Sequence, residues 1–182
     1  MAKTKWLLDP MHSELQFKIK HLMISNVTGA LKNFSAEVET EDEDFSTAKI
    51  SLAAQMDSIS TNNEQRDAHL RNSDFFEVEK YPELTFSSTK VEKVDNDTFV
   101  LHGELTMKGV TKPVKLNVEF NGETKDPWGG QRAGFMIRGK INRADWGVNF
   151  NSVLETGGVV LGEEVKINSE IELVKQEVEV LA

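Results

Sequence analysis

Apolar and polar residues alternate at every second position through most of this chain, in runs of about ten residues, and few fold classes accommodate that. Successive side chains of a strand point to opposite faces, so each run describes a strand with one buried and one wet face. From Ala48 to Asp57 every even position is apolar. Val114, Leu116, Val118 and Phe120 repeat the pattern, as do Ala133, Phe135, Ile137, Gly139 and Ile141. Further rows are Val165, Ile167, Ser169, Ile171 and Leu173; Phe99, Leu101, Gly103, Leu105 and Met107; and Leu15, Phe17 and Ile19. Between Val27 and Val38 the phase slips near Lys32-Asn33, which predicts a bulge. A less regular row begins at Leu84 and Phe86. The pattern predicts eight strands, at 12–20, 25–39, 48–57, 83–92, 98–108, 113–121, 131–141 and 164–174. Asp95-Asn96-Asp97, Lys108-Gly109, Asn121-Gly122 and Asp126-Pro127-Trp128-Gly129-Gly130 supply turn chemistry between them.

One helix interrupts this all-β pattern. Thr61-Asn62-Asn63-Glu64 reads as a capping box, which predicts a short helix from Asn62 to Asn72 between strands three and four. Ala68 and Leu70 give it a weak apolar face, with Phe75 and Phe76 to anchor it at one end of the sheet. Eight long antiparallel strands bury one continuous apolar surface and hide their edges by closing into a barrel; a two-sheet sandwich is the alternative. Small residues on the inferred inner face, Gly29, Gly103, Gly139, Ser169, Ala36, Ala48 and Ala54, favour a hollow interior. On that reading a leucine at position 103 fills the lumen and leaves the fold intact. The competing reading is that small residues serve strand bending or close packing.

Composition narrows the function. At 182 residues the chain is expected to form one compact domain, 1–182, that folds without a metal or disulfide. Zero cysteines remove thiol catalysis, disulfides and thiolate zinc sites. A net charge of −9 opposes nonspecific attraction to nucleic acid or anionic lipid. No apolar run is long enough for a membrane-spanning helix, so no stable membrane insertion is expected. Asp9-Pro10 interrupts the apolar start Trp6-Leu7-Leu8 before a secretory leader could form, which sets the expected compartment as the cytoplasm. The run Glu37 to Asp44 is strongly acidic, but its spacing does not match a calcium loop, and a solvated loop is expected.

Six segments share their order and spacing with a known family. They are Trp6-Leu7-Leu8-Asp9-Pro10-Met11-His12-Ser13, Arg66 to Phe76, Tyr81 to Thr89, Gly103 to Val114, Ile141-Asn142-Arg143-Ala144-Asp145-Trp146-Gly147 and Gly162 to Ile167. In these the chain resembles the YceI-like family over nearly its whole length. The resemblance implies an extended, lipocalin-like barrel with a long isoprenoid or fatty-acyl chain inside, commonly as a homodimer. Many members are periplasmic, and the absence of a leader here departs from that pattern.

The residues expected to contact such a ligand are the inward rows and a few polar groups at the mouth. Strand one contributes Leu15, Phe17, Ile19 and His21, and strand two contributes Val27 and Phe34. Ile50, Leu52 and Met56 come from the third strand, Arg66 and His69 from one face of the helix, and Phe86 from the fourth strand. Leu101, Gly103, Leu105 and Met107 follow, then Leu116, Phe135, Ile137 and finally Trp146 at a strand end. Each polar member has a structural alternative: a backbone carbonyl for His21, loop anchoring for Arg66, rim packing for Trp146 and Trp128. No catalytic or metal-binding residue is assigned and no cofactor is required. Adjacent His12 and Ser13 point to opposite faces of a strand, and no hydrolase, phosphate-loop or dinucleotide motif is present. The expected function is non-catalytic lipid binding for carriage, storage or sequestration. Acid–base chemistry on a bound lipid, by His21, His69 or a carboxylate brought close by folding, is one alternative. An interaction module with Val178-Glu179-Val180 as an edge strand is another.

Overall fold

The computed structural model describes residues 2–151 and 160–176. Eleven strands are present among them: β1 (Lys3–Leu8), β2 (Glu14–His21), β3 (Ser25–Leu31), β4 (Phe34–Glu41), β5 (Asp44–Gln55), β6 (Ile59–Ser60), β7 (Glu83–Lys93), β8 (Thr98–Met107), β9 (Val110–Lys125), β10 (Gln131–Asn142) and β11 (Leu161–Lys175), with one helix, α1 (Glu64–Arg71). All the pairings are antiparallel and run β1-β4-β5-β7-β8-β9-β10-β11, after which β11 pairs back onto β1 and closes the ring. Eight strand positions therefore make a closed barrel. The chain passes twice through two of them: β2 continues β1 along β11, and β3 lies beside β2 as β4 lies beside β1.

Those two interruptions have local causes. Between β1 and β2, Pro10 lacks the amide the ladder requires. Asp9 instead accepts the Met11 amide at 2.9 Å and opens a 3₁₀ turn over Pro10–His12. Between β3 and β4 the predicted bulge is instead a break. The Asn33 carbonyl accepts from the Gln55 amide at 2.8 Å and its amide donates to Ser58 Oγ at 3.0 Å. β3 then pairs with β6, whereas β4 pairs with β5, so one continuous strand over 25–39 is ruled out.

The predicted capping box is also corrected. Asn63 caps α1, accepting the Arg66 amide at 3.0 Å, and Asn62 sits in the left-handed region at φ 61°. Thr61 is committed elsewhere: its amide and hydroxyl both donate to Oδ1 of buried Asp67, at 2.8 and 2.6 Å. That pair fastens the helix to β6. The proposed edge strand at Val178-Glu179-Val180 lies outside the described residues.

Away from α1 the barrel end is filled by rings. Phe45 lies 5.1 Å from Trp6, 5.7 Å from Phe120 and 4.9 Å from Phe135, centroid to centroid. Trp6 is fully buried and donates to Thr40 Oγ1 at 3.4 Å. Such ring packing adds about 0.5–1.5 kcal/mol per pair beyond area burial, and it makes this end a plug.

Candidate functional site: an apolar lumen

Inside the ring lies a cavity of about 460 Å³, lined by the inward rows of the barrel strands and by α1. The lining is apolar along the wall: Leu15, Phe17 and Ile19 of β2, Val27 of β3, Ile50 and Leu52 of β5, Phe86 of β7, Leu101, Leu105 and Met107 of β8, Leu116 of β9, and Phe135 and Ile137 of β10. Met56 also reaches it. Gln16 and Ser169 are the polar residues of the wall, whereas the histidine and arginine side chains of the lining, His21, Arg66, His69 and Arg143, lie at the end where α1 and the start of the β10–β11 connection meet.

Three expected residues do not line the lumen. Phe34 is buried on the same face of β4 as Ala36 and Val38, but at the strand's first position it borders a second depression beside Ser13 and Gly29 instead of the lumen. Trp146 is buried and its indole donates to the Leu105 carbonyl at 3.0 Å, so it ties the 3₁₀ turn Arg143–Trp146 to the barrel wall. Gly103 has the inward phase, but the space above it is taken. A β-carbon there would lie 2.4 Å from Phe86 Cζ and 2.6 Å from the Ser87 carbonyl oxygen. Leucine at 103 therefore clashes rather than filling empty space. Gly29 lies beneath the Phe17 ring, and a β-carbon at Gly139 would lie 2.5 Å from Leu116 Cδ2. The inner glycines are seats for neighbouring side chains, and the hollow arises from the closed ring of larger residues. Of the other small residues, Ala36, Ala48 and Ser169 do border the lumen, whereas Ala54 is fully buried in the wall.

The polar groups at the mouth are mostly engaged. Arg66 Nε donates to Thr61 Oγ1 at 2.6 Å and its Nη2 to the Thr61 carbonyl at 2.7 Å, as the anchoring alternative requires. His69 Nε2 meets Asp74 Oδ2 at 2.8 Å, and its ring stands edge-on to Phe75 and Phe150, each 5.0 Å away. His21 pairs with Ser25 and Leu161 through the backbone, and its ring has no hydrogen-bond partner among the described residues.

Arg143 is a lining residue that strand periodicity could not reveal. Its Nε donates to the Gly162 carbonyl at 2.9 Å, and its Nη1 to the carbonyls of Val148 and Phe150 at 2.8 and 3.0 Å. Burial pushes this guanidinium below its usual pKa, with Glu163 acting against it. The residue was visible in the Asn142-to-Gly147 segment, but its direction depends on the turn. Asn142 caps Ala144 at 3.0 Å and Gly147 takes φ 76°.

A second charged cluster lies outside the barrel. Asp9, His12 and Glu172 bring their ligand atoms within 4.8 Å of one another. Arg132 already spans them, its Nη1 donating to Asp9 at 2.5 Å and Glu172 at 2.7 Å and its Nε to Asp126 at 2.9 Å. Burial raises Asp9, but hydrogen bonds from His12, Arg132 and the Met11 amide outweigh it and hold the carboxyl at about 2. The cluster is a clasp joining the β1–β2 turn to β10 and β11. Ser13 Oγ accepts from the Glu172 amide at 2.9 Å, while His12 Nδ1 faces Asp9 at 2.8 Å, so the two do not form a dyad.

A closed antiparallel barrel, plugged at one end and holding an apolar lumen, is a lipocalin-like barrel. Comparison with known proteins places it further. The model of the YceI-like domain matches residues 6–173. A UPF0312 protein of Staphylococcus epidermidis is 45% identical over 170 residues, covering 93% of this chain and 96% of its own. The Campylobacter jejuni YceI protein superposes with a TM-score of 0.76 at 35% identity, over 88% of this chain and 91% of its own. The chain belongs to the YceI-like family. A polyisoprenoid binding domain from Saccharophagus degradans shares the fold at a TM-score of 0.63 and 16% identity, over 92% of this chain and 97% of its own.

Proposed function

We propose that this protein binds a long apolar lipid in the barrel without catalysis, as a carrier, store or sequestering protein. The ligand classes that fit are isoprenoid quinones, polyprenyl compounds and fatty-acid derivatives. The observation that carries this is the lumen of about 460 Å³ with a largely apolar wall and its histidine and arginine side chains at one end. Such a shape suits a hydrocarbon chain whose head group stays at the mouth. The polyisoprenoid-binding neighbour supports the same class of ligand. His21, whose ring is unpaired among the described residues, is the group best placed to donate to a head group. No cofactor is needed. Residence in the cytoplasm and homodimeric assembly go with this reading, and cell fractionation and light scattering check them.

The decisive experiment is native mass spectrometry of the purified protein, followed by lipid extraction and by uptake of quinone, polyprenyl and acyl ligands from detergent. A bound or captured lipid of one class is expected. Protein that is empty and refuses all three classes overturns the proposal.

A further inference from the structure

The hairpin between β2 and β3 presents Leu22, Met23 and Ile24 to solvent at 38, 51 and 84% exposure. Leu22 and Met23 both have positive φ, 53° and 64°. That turn suits Asn-Gly and disfavours side chains of this bulk. Exposed apolar groups on a strained turn do nothing for folding, so their use lies elsewhere.

Their position indicates where. The Leu22 amide donates to the Val160 carbonyl at 2.8 Å, and His21 pairs with Leu161. His21, Val160, Leu161 and the exposed Phe150 all line the lumen, so the tip stands on its rim. On the outer wall below, Lys18 lies directly opposite Lys166, and Lys166 opposite Lys140. Lys20 follows Lys18 on the same face, and all four are exposed. Like charges in register repel, and none of the four forms an ion pair among the described residues. Glu164 is the acid next along β11 on that face. In a chain of net charge −9 this is a local reversal of sign, while the acidic run Glu37 to Asp44 surrounds the β4–β5 turn at the plugged end.

We propose that the β2–β3 tip and the lysine row dock the mouth of the lumen onto an anionic lipid surface. This rests on the lipid-binding reading above and adds the route by which a lipid enters. Apolar side chains of this kind seat about 5–10 Å into the headgroup boundary, where the lysines meet lipid phosphates. A hydrocarbon tail then passes between bilayer and lumen without crossing water. A second copy of the chain fits this surface poorly. Two-fold pairing would set the lysine rows against each other, and three side chains fall far short of the roughly 800 Å² per partner of a stable interface.

The test is co-sedimentation with phosphatidylcholine vesicles, with and without phosphatidylglycerol. Wild-type protein is expected on the anionic vesicles, with partitioning that falls as salt rises. Each lysine of the row changed to glutamine is expected to weaken it roughly fivefold. Leu22→Asn with Met23→Gly is expected to lose at least about tenfold, while melting at or above the wild-type temperature because the turn is relieved. Uptake of detergent-dispersed lipid by that variant stays unchanged. In wild-type protein, anionic vesicles should slow peroxide oxidation of Met23 but not of Met11, which is 85% exposed at the other end of β2. No vesicle binding, equal binding to both vesicle types, full binding by the tip variant or unprotected Met23 each overturns the proposal. So does a dimer in solution that dissociates when the tip is changed. A lumen that never takes lipid, with the tip still docking, would instead refute the lipid-binding reading alone.

Discussion

Gly103 offers the sharpest test of how the lumen wall is built. It sits in β8 opposite Ser88 of β7 and Val114 of β9, with its missing side chain directed inward. In Gly103→Ala the new carbon lies 2.4 Å from Phe86 Cζ, 2.5 Å from Phe86 Cε2 and 2.6 Å from the Ser87 carbonyl. Carbon atoms pack at about 3.5–4.0 Å, so the ring must retreat by roughly 1 Å. It has the lumen to move into. The Ser87 carbonyl does not, because Ser87 is held in register with Ser51 on one side and Glu104 on the other. Overpacking against backbone belongs at the upper part of the usual range, about 2–3 kcal/mol. For a chain of this size that corresponds to a melting temperature lower by about 4–12 °C.

Gly139→Ala is the control. Its nearest neighbour is Leu116 Cδ2 at 2.5 Å, but the next is 3.6 Å away, and Leu116 can rotate into the lumen. Replacing a strand glycine recovers about 0.5–1 kcal/mol, so this variant should stay within about 0.5 kcal/mol of wild type. Urea and thermal denaturation of lipid-free protein measure both, since bound lipid would raise apparent stability. Phe86→Leu combined with Gly103→Ala should show a coupling of at least about 1 kcal/mol. Equal stabilities for the two alanine variants, or no coupling to Phe86, would refute the account of glycines as ring seats.

Three further outcomes are expected. Ala48→Trp projects a ring into the lumen and should cut lipid capture at least about tenfold while ligand-free stability changes by less than about 1.5 kcal/mol; native mass spectrometry and a urea titration read the two effects. Arg143→Met leaves the carbonyls of Gly162, Val148 and Phe150 without their donor and should destabilise by about 2–4 kcal/mol, measured by chemical denaturation. Asp9, ordinarily at 3.8 and here about 2, contributes stability that is complete above pH 3.8 and is lost as pH falls toward 2. Asp9→Asn should therefore melt below wild type at neutral pH, with the gap closing through that window.

Period-two rows made the barrel walls legible because burial on one face of a strand leaves its mark at every second residue. That is why Leu101, Leu116 and Ile137 could be placed on the lumen from sequence. Where the chain leaves the ladder, the rule gives no direction. Phe34 keeps the inward phase of Ala36 and Val38, yet at the first position of β4, just past the break at Lys32-Asn33, it borders a different depression. Thr61 matches a capping box by spacing, yet Asp67, four residues beyond the capping Asn63, takes both of its donors. Gly103 kept the predicted phase, but whether a neighbouring ring covers a glycine depends on strand register, which a row of alternating residues does not specify.

Arg66 and His69 read, by type and place, as head-group ligands, and the structure adds Arg143 beside them at the mouth. Arg66 and Arg143 instead complete backbone carbonyls, and His69 is held by Asp74 between two phenylalanine rings. Burying polar chemistry at the open end of an apolar cavity demands such partners, because unpaired groups there would disfavour the fold. The mouth is therefore a satisfied frame around apolar walls, with His21 as its unengaged ring among the described residues. On the proposed lipid-binding function, selection of a ligand then rests chiefly on the length and shape of the hydrocarbon, and changes at His21 should alter preference among head groups more than they alter capture of the chain.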